Sequence, residues 1–110
     1  MKYEEVSKAL FNVGFTQGIR NIRKMEFKYG KFCVGFSDIE NITQVYLSVS
    51  LKTSSESSFS CIIRENDPKE LEKKIEKVVH DTKVHIITFM EKMHECFSTL
   101  EKENIVNQWR

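Results

Sequence analysis

Two hydrophobic periodicities divide the chain and predict a helix, a sheet and a second helix, in that order. Over Tyr3–Val13 apolar residues recur at helical spacing, and Gly14 stands where a helix C-cap is expected. From about residue 20 the period changes to two and continues to Ile63, which is typical of strands with one buried face. From Asp67 onward steps of three and four return, with no Gly or Pro after Pro68. The sequence therefore predicts an α+β fold with a short N-terminal and a long C-terminal helix.

Four alternating segments form the predicted sheet. Short connections favour antiparallel neighbours, so we expect a four-stranded antiparallel meander with one apolar face that a helix must cover. Residues 14–18 are expected to form a connection, and Gly30 with Lys31 a tight reversal. Residues 37–41 are expected to form a polar loop, and residues 52–58 a Ser-rich turn. The residues expected on the apolar face are Met25, Phe27, Tyr29, Phe32, Val34, Phe36, Val45, Leu47, Val49, Leu51, Phe59, Cys61 and Ile63.

The C-terminal helix is predicted to begin at Asp67, which combines with Pro68 and Glu70 in a capping-box-like signal. Its stripe runs to about Glu103 and would measure ~54 Å, whereas an eight-residue strand measures only ~27 Å. The helix therefore either breaks near residues 80–82 or overhangs the sheet and packs elsewhere. We favour the overhang, with a second copy of the chain as its partner. The residues assigned to this dimer or partner surface are Ile86, Ile87, Met90, Met93 and Phe97.

Length and composition predict one domain spanning residues 1–110. The chain has 110 residues, 40% of them hydrophobic, and a net charge of +1. This length is usual for a single domain. No apolar run approaches the ~18 residues of a membrane helix. The first residues carry two acids and no apolar core, so we expect no secretory signal. Three widely spaced cysteines argue against a disulfide framework and favour the cytoplasm.

The reactive and metal-ligating side chains form no recognisable catalytic or metal-binding motif. His80 and His85 are five residues apart, and His94 and Cys96 are two apart, so neither pair shares a helix face. Cys61 and Cys96 are expected to be small buried hydrophobic residues. The chain has no phosphate-binding glycine loop and no nucleophile elbow. We therefore expect no catalytic residue, no metal site and no cofactor.

Positive charge is concentrated in the first third of the chain. Residues 1–35 carry seven basic and three acidic side chains. If the first strand is continuous, Arg20, Lys24 and Lys28 share one of its faces, which can meet phosphates or an acidic protein. A charged strand face that blunts edge aggregation is the simpler and favoured interpretation. The candidate partner-binding residues are Arg20, Arg23, Lys24, Lys28 and Tyr46, the last on the polar sheet face.

These patterns favour a non-catalytic protein-binding module that acts as an inhibitor or adaptor by occluding a protein partner. A nucleic-acid-binding module that uses the basic first strand is the second choice. A small enzyme ranks third, because one sheet and one helix layer offer little concavity. The order of helix, four-strand meander and long helix resembles secretion chaperones and small phage-encoded inhibitors. That resemblance implies a phage or mobile-element protein that counters a host system, or a secretion-chaperone-like protein. The expected partner is a protein, with a homodimer as a further possibility and no membrane.

Overall fold

The computed structural model describes residues 1–17, 22–52 and 59–102. Its sheet is antiparallel with the strand order β1-β2-β3-β4-β5, so every strand pairs with its neighbours in sequence. The predicted α+β fold, with a short N-terminal helix, an antiparallel meander and a long C-terminal helix, is confirmed. The elements are α1 (Tyr3–Val13), β1 (Thr16–Gln17), β2 (Arg23–Phe27), β3 (Gly30–Ile39), β4 (Ile42–Leu51), β5 (Phe59–Arg64) and α2 (Pro68–Lys102).

The short strand β1 is an addition to the predicted meander. Thr16 pairs with Lys24 and Gln17 with Arg23, where a plain connection was expected. Gly14 ends α1 as predicted, with a φ of 120° and its N–H donated to the carbonyls of Leu10 and Phe11. A strand of two residues is too short for any alternation to reveal it.

The hairpin of β3 and β4 is longer than the sequence predicted. The polar loop expected over residues 37–41 is wrong, because β3 continues to Ile39 and β4 begins at Ile42. Only Glu40 and Asn41 form the turn, and their φ angles of 53° and 66° fit the type I′ geometry of two-residue hairpins. Polar residues inside the hairpin satisfy one another, since the Thr43 hydroxyl donates to the Asp38 carboxylate at 2.7 Å.

The reversal between β2 and β3 lies two residues before the predicted position. Residues 28–29 form the turn, which takes Tyr29 out of the strand, and Gly30 already pairs with Phe27. Gly30 has a different role: a Cβ atom at this position would collide with the carbonyl oxygen of Ser50. Glycine is therefore needed because two backbones approach closely, rather than because the chain turns.

The core lies between one face of the sheet, here called the inner face, and the two helices. Its sheet side includes Phe32, Val34, Val45, Leu47 and Val49. Phe59 and Cys61 were expected to be buried with these residues, but both are exposed. In β5 only Ile63 is buried, because neither helix covers the rest of that strand. The helix residues in the core are Val6 and Leu10 of α1 and Leu71, Ile75, Val79 and Ile86 of α2.

The start of α2 is tied to the β3–β4 turn. The Glu70 N–H donates to Asp67 Oδ2 at 3.0 Å, which confirms the predicted N-cap. The return bond expected from Glu70 is absent, and Glu65 accepts the Asp67 N–H instead, at 3.2 Å. Asn66 makes two hydrogen bonds to the hairpin. Its Oδ1 accepts the Thr43 N–H at 2.9 Å, and its Nδ2 donates to the Asn41 carbonyl at 3.1 Å.

Helix α2 is continuous from Pro68 to Lys102, without a break at residues 80–82. It crosses the whole sheet, because Glu91 lies 3.8 Å from Lys28 in the turn at the opposite end. Residues 68–91 measure about 35 Å, which matches the ~34 Å of a ten-residue strand. Residues 92–102 therefore project past the sheet and are called the overhang. The radius of gyration is accordingly 18.2 Å, compared with ~13 Å for a compact chain of this length.

Candidate functional site

The first candidate surface lies on the outer face of the sheet, opposite the helices. Strand alternation places four exposed apolar side chains there, here called the outer-face patch: Ile39, Ile42, Tyr46 and Ile62. Tyr46 stands between Gly35 of β3 and Ile62 of β5, and its hydroxyl lies 3.2 Å from the Ser37 hydroxyl. A Cβ atom at Gly35 would meet open space, so one flank of the Tyr46 ring is free.

Small and polar residues lie beside and between the residues of the outer-face patch. Cys33, Ser48 and Ser60 form one row across the three strands, and Lys24 continues that row onto β2. Ser37, Gln44 and Arg64 form a second row, which crosses the strands between the Ile39–Ile42 pair and the Tyr46–Ile62 pair, and Arg64 is exposed at its β5 end. Both helices pack on the inner face, so nothing in the described parts of the chain covers this one. Exposed apolar side chains next to polar ones, with Tyr or Arg at prominent positions, are typical of protein interfaces.

Arg23 does not belong to the charged outer surface, because it is only 8% exposed and points inward. Its Nη2 donates to Ser7 Oγ at 2.9 Å and to the Tyr3 hydroxyl at 3.3 Å, both on α1. The bond from Arg23 lowers the pKa of Tyr3. The guanidinium also lies 5.6 Å from the Phe36 ring centroid. The alternation contained this signal, since Arg23 shares parity with the inward residue Met25.

The other predicted basic residues are not brought together on one strand face. Lys24 lies on the outer face, two strands away from Tyr46. Lys28 lies in the turn, beside Glu91 and 5.1 Å from the ring centroid of Tyr29. Arg20 lies outside the described residues. Of the four candidate residues that the structure describes, only Lys24 and Tyr46 thus share the outer face.

The second candidate surface is an apolar groove between the sheet and α2, here called the α2 groove. It has a volume of about 670 Å³. The groove opens where the β4–β5 end of the inner face is left uncovered, which explains why Phe59 and Cys61 are exposed. Its walls include Leu51, Phe59 and Cys61 on the sheet and Ile86, Phe89 and Met90 on the helix.

The predicted α2 residues divide between the core, the groove and the overhang. Ile86 is buried, Ile87 and Met90 are half-buried, and Met93 and Phe97 are exposed. Seven residues of an α-helix return to the same face within ~20°, so Met93 stands in line with Ile86. The groove residue Phe89 was recognised in the sequence only as part of the apolar stripe. Its spacing of three from Ile86 was the available signal.

The cysteines differ from the sequence expectation. Cys61 and Cys96 were expected to be buried, but both are exposed, and Cys33 is half-buried. Partial desolvation at the groove wall raises the pKa of the Cys61 thiol. A raised pKa keeps the thiol protonated and weakly nucleophilic at neutral pH.

Comparisons with protein-family models, with curated proteins and with solved structures find no match to this chain. Within residues 1–17, 22–52 and 59–102, no group of three His, Cys, Asp or Glu side chains is placed to hold a metal ion. Neither described helix combines the length and apolar character needed to cross a membrane. The functional argument therefore rests on the two apolar surfaces.

Proposed function

We propose that this chain is a non-catalytic protein-binding module that acts as an inhibitor or adaptor by occluding a protein partner. The observation that carries the proposal is the outer-face patch. Four large apolar side chains share a sheet face that has no cover in the described part of the chain. Exposed apolar clusters on small proteins typically mark contact surfaces.

The patch is suited to docking because its side chains are held by a rigid support. Tyr46 and Ile42 lie on β4, which is paired on both sides, and Ile39 lies on β3. A pre-ordered surface loses little conformational entropy on binding, so more of the contact energy appears as affinity. Lys24 and Arg64 on the same face favour a partner that carries acidic groups beside its apolar contacts.

The test is capture of a protein from host-cell lysate by tagged chain, compared between matched variants. Tyr46→Glu combined with Ile62→Glu places charge in the patch, whereas Val84→Glu places charge on an exposed helix residue outside both surfaces. We expect the wild type and Val84→Glu to retain one partner, and the double variant to lose it by about tenfold or more. Equal capture by all three proteins would contradict the proposal.

The nucleic-acid alternative receives less support, because the basic residues are dispersed. Salt-sensitive binding of DNA or RNA that is lost in Lys24→Glu and kept in the patch variant would establish it instead. A secretion-chaperone-like role would use the same patch towards an unfolded segment of the partner. Neither alternative has an observation of its own among the described residues.

The proposal includes the cellular setting and self-association. We place the protein in the cytoplasm and its gene on a phage or mobile element, on the analogy with small inhibitors that the order of elements suggested. We also propose a homodimer, because the α2 groove and the overhang form a second apolar surface away from the outer-face patch.

A further inference from the structure

We propose that the α2 groove of each chain is filled by the overhang of a second copy, with the two α2 helices antiparallel. This deepens the self-association part of the proposed function and does not depend on the outer-face patch. In the proposed dimer Phe97 of one copy packs against the groove of the other, and the two Met93 side chains meet on the axis between the grooves. Among the described residues of a single copy the site is incomplete, since its sheet and helix walls face an open space.

The apolar stripe of α2 supports this arrangement, because it does not stop where the sheet ends. Val79 and Ile86 are buried against the sheet, and Met93 follows in the same line. Phe97 is a further four residues along, on the same side. The polar residues Glu91, Lys92, His94 and Glu95 lie on the remaining faces. An uncharged arc of about 100° or more is the width of a helix face packed in a core.

The helical wall of the groove and the overhang side chains that would fill it both belong to α2, which makes the surface self-complementary. Phe89 lines the groove, and Phe97 lies eight residues further on, about 12 Å along the axis. A twofold axis at Met93 places Phe97 of one copy opposite Phe89 of the partner subunit, and the reverse. A twofold contact of this kind closes on itself and buries both features at once.

The exposed area is sufficient for a dimer. Phe59, Phe89 and Phe97 are each 56% to 65% exposed, or roughly 100–150 Å² per side chain. Six such rings in two copies offer about 600–900 Å² of apolar surface. Met93 and the half-buried groove residues bring the total towards the ~1,200 Å² at which specific interfaces begin.

Solution mass by light scattering after size exclusion tests the proposal, over concentrations from micromolar to hundreds of micromolar. We expect the wild type to approach twice 13.0 kDa as concentration rises. Met93→Glu combined with Phe97→Glu should stay at the monomer mass with unchanged helicity. Phe11→Glu is the matched control, since Phe11 is a 72% exposed ring on α1, and it should still dimerise. A wild type that is monomeric throughout, or a double variant that still dimerises, would overturn the proposal.

Disulfide trapping provides a second readout that does not depend on charge substitutions. The background carries serine at Cys33, Cys61 and Cys96, and a single cysteine replaces either Met93 or Val84. Because Met93 lies on the proposed axis, Met93→Cys should crosslink under mild oxidation. Val84→Cys lies on an exposed face away from the stripe and should not. Equal crosslinking of both variants, or none at Met93, would contradict the antiparallel pairing.

The two proposals fail separately. Patch variants at Tyr46 and Ile62 should abolish partner capture without changing the mass of the dimer. Overhang variants at Met93 and Phe97 should change the solution mass without abolishing partner capture, because they leave the outer-face patch unchanged.

Discussion

The two halves of α2 have the same hydrophobic pattern and opposite surroundings. In the first half Leu71 and Ile75 are fully buried. In the second half Phe89 and Phe97, at equivalent positions of the stripe, are 61% and 56% exposed. An amphipathic pattern thus predicts that one face of a helix is buried, but it does not predict whether the same chain or another one buries it.

The length of the sheet determines where the apolar stripe of α2 changes from buried to exposed. Helix α2 leaves the sheet near Glu91, where it passes the turn that holds Lys28. The inner face of β3 and β4 extends no further, so residues 92–102 have no sheet beneath them. The first half of α2 is thus part of the fold of one chain, whereas the overhang is available to a second one.

The largest contrast is expected from truncating one apolar side chain in each half. Ile75→Ala removes a fully buried side chain and should lower the free energy of unfolding by about 2–5 kcal/mol. Phe97→Ala should cost less than about 0.5 kcal/mol at dilute concentration, because the side chain is 56% exposed and lies beyond the sheet. Urea unfolding followed by circular dichroism measures both. Comparable losses would show that the overhang packs within its own molecule.

A proline in each half tests the same contrast through the backbone. Glu76→Pro and Glu95→Pro both replace an exposed helical glutamate. We expect Glu76→Pro to cost about 3 kcal/mol or more, because the helix it interrupts lies on the core. Glu95→Pro should shorten the helix and reduce ellipticity while the urea midpoint of the remainder stays unchanged. A lower midpoint in Glu95→Pro would show that the overhang contributes to the stability of the single chain.

The capped start of α2 should tolerate substitution less well than its middle. Asp67→Ala removes the acceptor for the Glu70 N–H and should cost about 1 kcal/mol. Asp81→Ala, at an exposed position of the same helix, should stay within about 0.5 kcal/mol of the wild type. Thermal unfolding of the pair provides the comparison, and equal midpoints would mean that the cap has no energetic role.

The smallest effect is expected from pH at the same end of the helix. The Lys74 ammonium, 2.7 Å from Glu65, lowers the pKa of Glu65 below its ordinary value of 4.5, and the Asp67 N–H adds to the shift. A carboxylate with a lowered folded pKa stabilises the fold above the unfolded pKa, and loses that contribution as pH falls through the folded value. Lys74→Gln should therefore be less stable than the wild type at pH 7 but not at strongly acidic pH. A difference that persists in acid would contradict this.

Much of the fold was predictable because it depends on local periodicity. Residues 3–13, the alternation of β4 and the cap at Asp67 all contain strong short-range signals. The errors came from tertiary contacts. Gly30 is required by the carbonyl of Ser50, 20 residues away in sequence. Ser37, Asp38 and Ile39 extend β3, and the β4 residues with which they pair cannot be predicted from composition.

The candidate surfaces were only partly predictable. The stripe through Met93 and Phe97 was visible, and so was Tyr46 on the polar face. The groove was not, because it arises from α2 leaving Phe59 and Cys61 uncovered, which depends on how the helix lies across the sheet. Arg23 was assigned to the charged surface because its charge received more weight than its parity with Met25.

The position of α2 at the end of the described chain has a consequence during synthesis. The hairpin residues Val45, Leu47 and Val49 leave the ribosome before the helix residues Leu71, Ile75 and Ile86 that will cover them. At ~5–20 residues per second, the 35 residues from Leu51 to Ile86 take about 2–7 s to make. During that interval a β-rich nascent chain has an apolar face without its helical cover. Translation speed between residues 52 and 86 therefore sets how long the nascent chain can be captured by chaperones or by other nascent chains.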